Sequence, residues 1–141
     1  MQVNPYLSFN GDCEAAFTLY QQCLGGQLGT LVRYAGSPMA HQVPAEWQDK
    51  IMHGSVTVGD QVLMGADEAP GRYEEPKGFW LSIQITSTTD AERIFHELAD
   101  GGRVVMPLEK TFWAERFGVL VDRFGIQWLI NCESSDQPPA G

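Results

Sequence analysis

Leu7-Ser8-Phe9, Asp12-Cys13-Glu14 and Gly25-Gly26 return, in the same order, as Leu81-Ser82-Ile83, Asp90-Ala91-Glu92 and Gly101-Gly102. A sequence that restarts in this way is an internal duplication, and the repeat dictates the architecture before any single residue does. In each copy a short apolar segment runs into an acidic residue suited to capping a helix. A helical period follows: Ala16, Phe17, Tyr20 and Leu24 in the first copy, Ile94, Phe95 and Leu98 in the second. Spacings of three and four place each set on one helix face. The paired glycines then stop the helix, because glycine tolerates the left-handed conformation that ends one.

Strand signals surround these two helices. Pro5–Phe9, Leu28–Tyr34, Ile51–Val58 and Gln61–Gly65 read as the first set, with Gly59-Asp60 as a hairpin turn. Residues 35–50 hold Gly36, Pro38 and Pro44 and read as a loop that carries Trp47. Phe79–Thr86, Arg103–Met106, Gly118–Asp122 and Ile126–Asn131 form the second set. Each copy is therefore a strand, a helix and three strands. The expected fold class is α+β: two βαβββ modules in one chain, forming a curled mixed sheet around a cavity with the helices outside. The first module is expected at 1–66, a polar linker at 67–78, the second module at 79–132 and a disordered Pro-rich tail at 133–141, with the two modules forming one domain.

The chain has 141 residues, enough for one domain that needs no disulfide or metal to fold. Its net charge of −9 opposes phosphate backbones and anionic lipid surfaces, so neither nucleic acid nor membrane is an expected partner. No stretch of about 18 apolar residues is present and the N-terminus lacks a signal-peptide pattern, which points to a cytoplasmic protein. Cys13, Cys23 and Cys132 form no metal-binding or redox spacing and read as reduced, packed thiols. Cys13 stands apart because the first turn of a helix favours a thiolate.

Pro5-Tyr6-Leu7-Ser8-Phe9-Asn10-Gly11, the helix end Tyr20…Leu24-Gly25, and Thr111-Phe112-Trp113-Ala114…Phe117-Gly118…Asp122-Arg123-Phe124-Gly125…Trp128…Ile130-Asn131 resemble PhnB-like proteins. These are members of the glyoxalase, bleomycin-resistance and extradiol-dioxygenase (vicinal oxygen chelate) superfamily, and the resemblance spans residues 4–132. It implies paired βαβββ modules around a shared cavity, a common dimeric state and, for most PhnB-like proteins, no assigned activity. Metal-using relatives place one ligand on the first and one on the last strand of each module. Those positions fall here at Tyr6 (or Pro5), Met64, Trp80 and Leu129. None supplies a carboxylate or imidazole, so no metal and no other cofactor is expected.

Strand alternation sorts the remaining side chains. Leu7, Phe9, Leu63, Leu81, Ile83, Trp128 and Ile130 are expected under the helices. Tyr6, Ser8, Met64, Trp80, Ser82, Gln84, Gln127, Leu129 and Asn131 are expected to face the cavity, where they would either hold a small, mostly apolar ligand or simply fill the space. His53 shares the phase of Ser55 and Thr57 and is a candidate base; a structural histidine is the alternative. In Lys110–Phe117, Trp113 and Arg116 are candidate ligand contacts and Glu115 a candidate acid, against the alternative of an aromatic corner buried in a dimer.

No phosphate-binding loop, nucleophile elbow or dinucleotide fingerprint occurs. Nothing resembles the glycine-rich loop of an S-adenosylmethionine-dependent enzyme, so the methyltransferase label attached to some family members is rejected. Two function classes remain. One is a metal-free binder of a small molecule, expected to be a homodimer. The other is an enzyme of the lyase, isomerase or dioxygenase type, acting through His53 or Glu115 without metal or through a metal held by non-inherited ligands.

Overall fold

A computed structural model describes residues 1–133; the predicted tail beyond Glu133 lies outside the described residues. The chain divides into two compact units, Met1–Glu75 and the residues from Pro76 on.

The first unit contains β1 (Tyr6–Phe9), α1 (Cys13–Leu24), β2 (Gln27–Arg33), β3 (Ile51–Val58) and β4 (Gln61–Asp67). Its sheet runs in the order β1-β4-β3-β2, with β1 parallel to β4 and the other pairs antiparallel. The second unit repeats this plan with β5 (Leu81–Ile85), α2 (Thr88–Ala99), β6 (Arg103–Glu109), β7 (Arg116–Val121) and β8 (Gln127–Cys132). Its order is β5-β8-β7-β6, with β5 parallel to β8. Each module is thus βαβββ with its own four-stranded mixed sheet, and neither sheet closes into a barrel.

Burial follows the helical and strand periods. On α1, Ala16, Phe17 and Tyr20 are fully buried against β3 and β4, together with Leu7 and Phe9 from β1. On α2, Ala91, Ile94, Phe95 and Leu98 are buried where the helix packs on β7 and β8, the strands that carry the buried Leu120, Trp128 and Ile130. The Gly-Gly pairs have a double cause. Gly25 and Gly101 take left-handed φ values of 72° and 75°. Gly26 and Gly102 lie so close to the carbonyls of Thr57 and Val121 that a Cβ on either would collide with backbone.

The helix starts differ from the sequence expectation. Asp12 does not cap α1 with its side chain. The carboxylate of Asp67, at the end of β4, does so: Oδ1 accepts from Gly11 N at 3.0 Å and Cys13 N at 2.9 Å, while Oδ2 accepts from Ile51 N at 2.8 Å. In the second unit α2 begins two residues before Asp90. Ser87 is the cap, and its hydroxyl accepts from Asp90 N at 3.1 Å. A second buried carboxylate, Asp122, ties the β7–β8 turn by accepting from Phe124 N, Ile126 N and Trp128 Nε1.

Candidate functional site

Alternation on the first sheet sends Leu7, Phe9, Leu63 and Val56 beneath α1. Tyr6, Ser8, Met64 and Ser55 therefore occupy the opposite, helix-free face. The register makes a row of them: Tyr6 pairs with Met64, and Met64 with Ser55. Gly29, on β2, keeps this row open, because a Cβ there would overlap the Ser55 hydroxyl. The Tyr6 hydroxyl lies 3.0 Å from His53 Nδ1, with the two rings 5.7 Å apart. Beside them Ser8 Oγ donates to Glu68 Oε1 at 3.0 Å. Partial burial, then the neighbouring Cys13 and Glu68, push the Tyr6 phenol above its ordinary value, so it stays protonated. The face thus offers a thioether and an aromatic ring bounded by two hydrogen-bonded pairs.

The second sheet sets Trp128, Ile130 and Leu120 beneath α2 and leaves Ser82, Gln84, Gln127, Leu129 and Asn131 on the other face. A chain of amides crosses it. Asn131 Nδ2 donates to Gln84 Oε1 at 2.9 Å, and Gln84 Nε2 donates to Ser82 Oγ at 2.5 Å. Trp80 stands just before β5 and is 38% exposed.

The structure does not bring every predicted residue to these faces. Arg116 shares the phase of Gly118, whose position abuts Phe95 of α2. Its guanidinium accordingly lies on the helix side, donating to Glu92 Oε1 at 3.3 Å and to the Glu115 carbonyl at 2.6 Å. Glu115 faces Lys110 at 3.9 Å. Trp113 packs between Phe112 and Phe117, with ring separations of 4.7 and 5.3 Å. Cys13 is fully buried, and burial plus the carboxylates of Asp67, Asp12 and Glu14 push its thiol far upward. The helix start cannot make it a thiolate because Asp67 already occupies that position. Glu68 was not anticipated; its only sequence signal is an acid directly after a strand. A shallow cleft of about 360 Å³ lies by Gly25, Gly26, Gln27, Thr57 and Gly59 and includes none of the predicted contacts.

The family metal can be tested against these side chains. Tyr6 pairs with Met64, and Leu81 pairs with Trp128 as Leu7 pairs with Gly65. The register therefore makes Gln127, not Leu129, the counterpart of Met64. The four inherited positions hold a phenol that resists ionisation, a thioether, an indole and one amide. A hard or borderline divalent cation needs several oxygen or nitrogen donors, and neither module's pair of residues supplies them. Among the described residues no group of three or more His, Cys, Asp or Glu side chains is placed to bind a metal elsewhere. No helix among the described residues is long and apolar enough to cross a membrane.

Comparison with known proteins gives a consistent result. The Glyoxalase/Bleomycin resistance protein/Dioxygenase superfamily model matches residues 2–130. Protein YjdN of Escherichia coli (strain K12) is 33% identical over 139 residues, covering 93% of this chain and 95% of its own. The crystal structure of protein PA1353 from Pseudomonas aeruginosa is 47% identical, with a TM-score of 0.86 over 96% of this chain and 99% of that one. A Bacillus cereus PhnB protein, described as a candidate 3-demethylubiquinone-9 3-methyltransferase, shares the fold at a TM-score of 0.81 and 21% identity, over 94% of this chain and 99% of its own. With the duplicated βαβββ architecture and a match over nearly its whole length, the chain belongs to the glyoxalase/bleomycin resistance protein/dioxygenase superfamily.

Proposed function

We propose that this protein binds a small, mostly apolar molecule on the helix-free face of its first module and that it does so without a metal. The observation that carries this reading is the Tyr6–His53 pair, standing beside Met64 where metal-using relatives would place a ligand. With Tyr6 donating to Nδ1, the imidazole presents Nε2–H outward. Ser8 and Glu68 supply an acceptor, and Met64 adapts its shape to an apolar body. Apolar lining with a few placed polar groups is the usual make-up of a small-molecule site. The protein is proposed to work as a homodimer, because Val104, Val105, Met106 and Phe112 leave apolar surface exposed on the second unit.

A second reading follows from the same hydrogen bond. In the other tautomer Nδ1–H is donated to the phenol oxygen, and Nε2 keeps a lone pair that can take a proton. That arrangement suits a metal-independent lyase or isomerase with His53 as base and Tyr6 as its positioning residue. Thermal shift against a panel of aromatic acids, phenols and quinones, with chelator and with divalent cations, tests the first reading. A ligand at 100 times its dissociation constant should stabilise by about 2.7 kcal/mol. The shift should persist in chelator and disappear in Tyr6→Phe. A shift that requires a divalent cation would refute it, and conversion of the compound by metal-free protein, lost in His53→Ala, would favour the second.

A further inference from the structure

Of the three asparagines in the chain, Asn4 precedes a proline, Asn131 lies inside β8, and Asn10 alone precedes a glycine. Asn10 is exposed, in the turn between β1 and α1. Asparagine before glycine is the pairing most prone to lose its side-chain ammonia, because no Cβ hinders the nitrogen that must attack. That reaction needs Gly11 N to give up its proton and approach Asn10 Cγ in line, to within about 3–3.5 Å. Here the nitrogen is engaged elsewhere. Gly11 N–H is donated to Asp67 Oδ1 at 3.0 Å, and the same carboxylate holds Cys13 N and Ile51 N. Asp67 is 1% exposed, so the Gly11 proton points at a buried acceptor and not at solvent base.

The turn is also covered. A Cβ on Gly11 would stand 2.9 Å from Trp47 Cη2, so the edge of the indole lies directly on this residue. Trp47 is held there by packing and by Lys50, whose Nζ lies 5.7 Å from the ring centre. Its own Nε1–H is buried without a hydrogen-bond partner. A donor in that state gains a bond by moving into water, so the cover lifts more readily than the Asp67 clamp opens.

We propose that Asn10 is a self-modification site, a deamidation site that the Asp67 clamp keeps dormant. When the clamp opens, Gly11 N loses its proton and bonds to Asn10 Cγ; the Cγ–Nδ2 bond breaks and ammonia leaves with the proton. Water then opens the cyclic imide at one of its two carbonyl–nitrogen bonds. Cleavage at Cγ leaves aspartate, and cleavage at the main-chain carbonyl leaves isoaspartate, in which the chain runs on through Cγ. Nothing is oxidised or reduced, and water is the only co-reactant. Either product brings a new carboxylate to a turn that already carries Asp12 and Glu14 and is bonded to Asp67. Isoaspartate also lengthens the chain between β1 and α1 by one carbon, which shifts Gly11 N and Cys13 N from their shared oxygen, so the clamp does not reset. The site shares no residue with the Tyr6–His53 reading, and its test involves no ligand.

The test follows deamidation of the whole protein in mildly alkaline buffer by intact mass and peptide mapping, beside a synthetic peptide of residues 7–14 that gives the unrestrained rate. Asn10 in the folded protein should react at least tenfold more slowly than in the peptide, and protein unfolded in urea should match the peptide. Asp67→Ala should react at least fivefold faster than wild type brought to the same stability with urea. Alanine is used because the oxygen of an asparagine could still hold Gly11 N. Trp47→Ala uncovers the turn but leaves the Asp67 bonds, so its rate should stay closer to wild type than to Asp67→Ala. A folded protein that reacts within twofold of the peptide would overturn the inference. So would Asp67→Ala reacting no faster than its stability-matched control, or Trp47→Ala reacting as fast as Asp67→Ala. If Asp67→Ala does not fold, amide hydrogen exchange of the wild type decides. One carboxylate holds all three donors, so Gly11, Cys13 and Ile51 N–H should be protected alike, and free exchange at Gly11 alone would overturn the inference.

Discussion

Asp67→Asn isolates the group on which the geometry of the first module depends. The carboxylate is 1% exposed and accepts three backbone N–H groups, from the β1–α1 turn, the first residue of α1 and the first residue of β3. An asparagine fits the same volume but can offer only one oxygen. If that oxygen keeps Gly11 N and Cys13 N, the amide nitrogen faces Ile51 N, donor against donor. Orphaning one buried N–H costs about 1–3 kcal/mol, and turning two charge-assisted bonds into neutral ones costs about 1 kcal/mol each, so the variant should lose roughly 3–5 kcal/mol. Urea denaturation followed by circular dichroism reads this as a lower midpoint with a similar slope. Ile51 begins the strand that carries His53, so any ligand affinity of the first module should fall as well. A loss below about 1 kcal/mol would refute the assignment of Asp67 as the clamp.

The remaining predictions concern strand phase, ionisation and assembly. Trp128→Ala removes a side chain that is 2% exposed and leaves Asp122 Oδ2 without its indole donor, so it should cost about 3–5 kcal/mol; Trp80→Ala, outside β5, should cost about 1 kcal/mol or less in the same denaturation experiment. Burial raises the thiols of Cys13 and Cys132 above 9.0 and the phenols of Tyr6 and Tyr34 above 10.0. The folded chain therefore holds protons that the unfolded chain releases. This stability is fully present below pH 9.0 and is lost as pH rises through the folded values, so the melting temperature should fall above that point; a flat profile to strongly alkaline pH would contradict it. For the assembly, light scattering at micromolar concentration should report a dimer, and Met106→Lys with Phe112→Ser should return a folded monomer.

Much of the fold was legible because its signals are local. The apolar period of each helix, the glycine pairs and the alternation of β1, β4 and β8 all lie within a few residues of one another. What was not legible depends on partners distant in sequence. Asp67 resembles the start of a polar linker, and only its contact with Gly11, Cys13 and Ile51 shows it to be the end of a strand and a helix cap. Asp90 looked like a cap because an acid before an apolar period usually is one; Ser87 takes the role because the helix starts at Thr88. Arg116 sits in a stretch with no clear period. Its side became apparent only when β7 began at that residue and its phase put it with Gly118 beneath α2. The Tyr6–His53 contact spans 47 residues of sequence and needed the β1–β4–β3 order to exist. Gln127 displaced Leu129 as the counterpart of Met64 for the same reason, since register is set by pairing and not by spacing along one strand.

On the proposed reading, the positions that hold a metal in relatives form here a metal-free, mostly apolar binding face. Elemental analysis of purified, tag-free protein after exposure to zinc, nickel, manganese and iron tests it most directly. No stoichiometric metal should remain after gel filtration, since neither Tyr6 with Met64 nor Trp80 with Gln127 supplies the carboxylate or imidazole donors that a divalent cation needs. One retained ion per chain, lost when Tyr6 or Met64 is replaced, would contradict it.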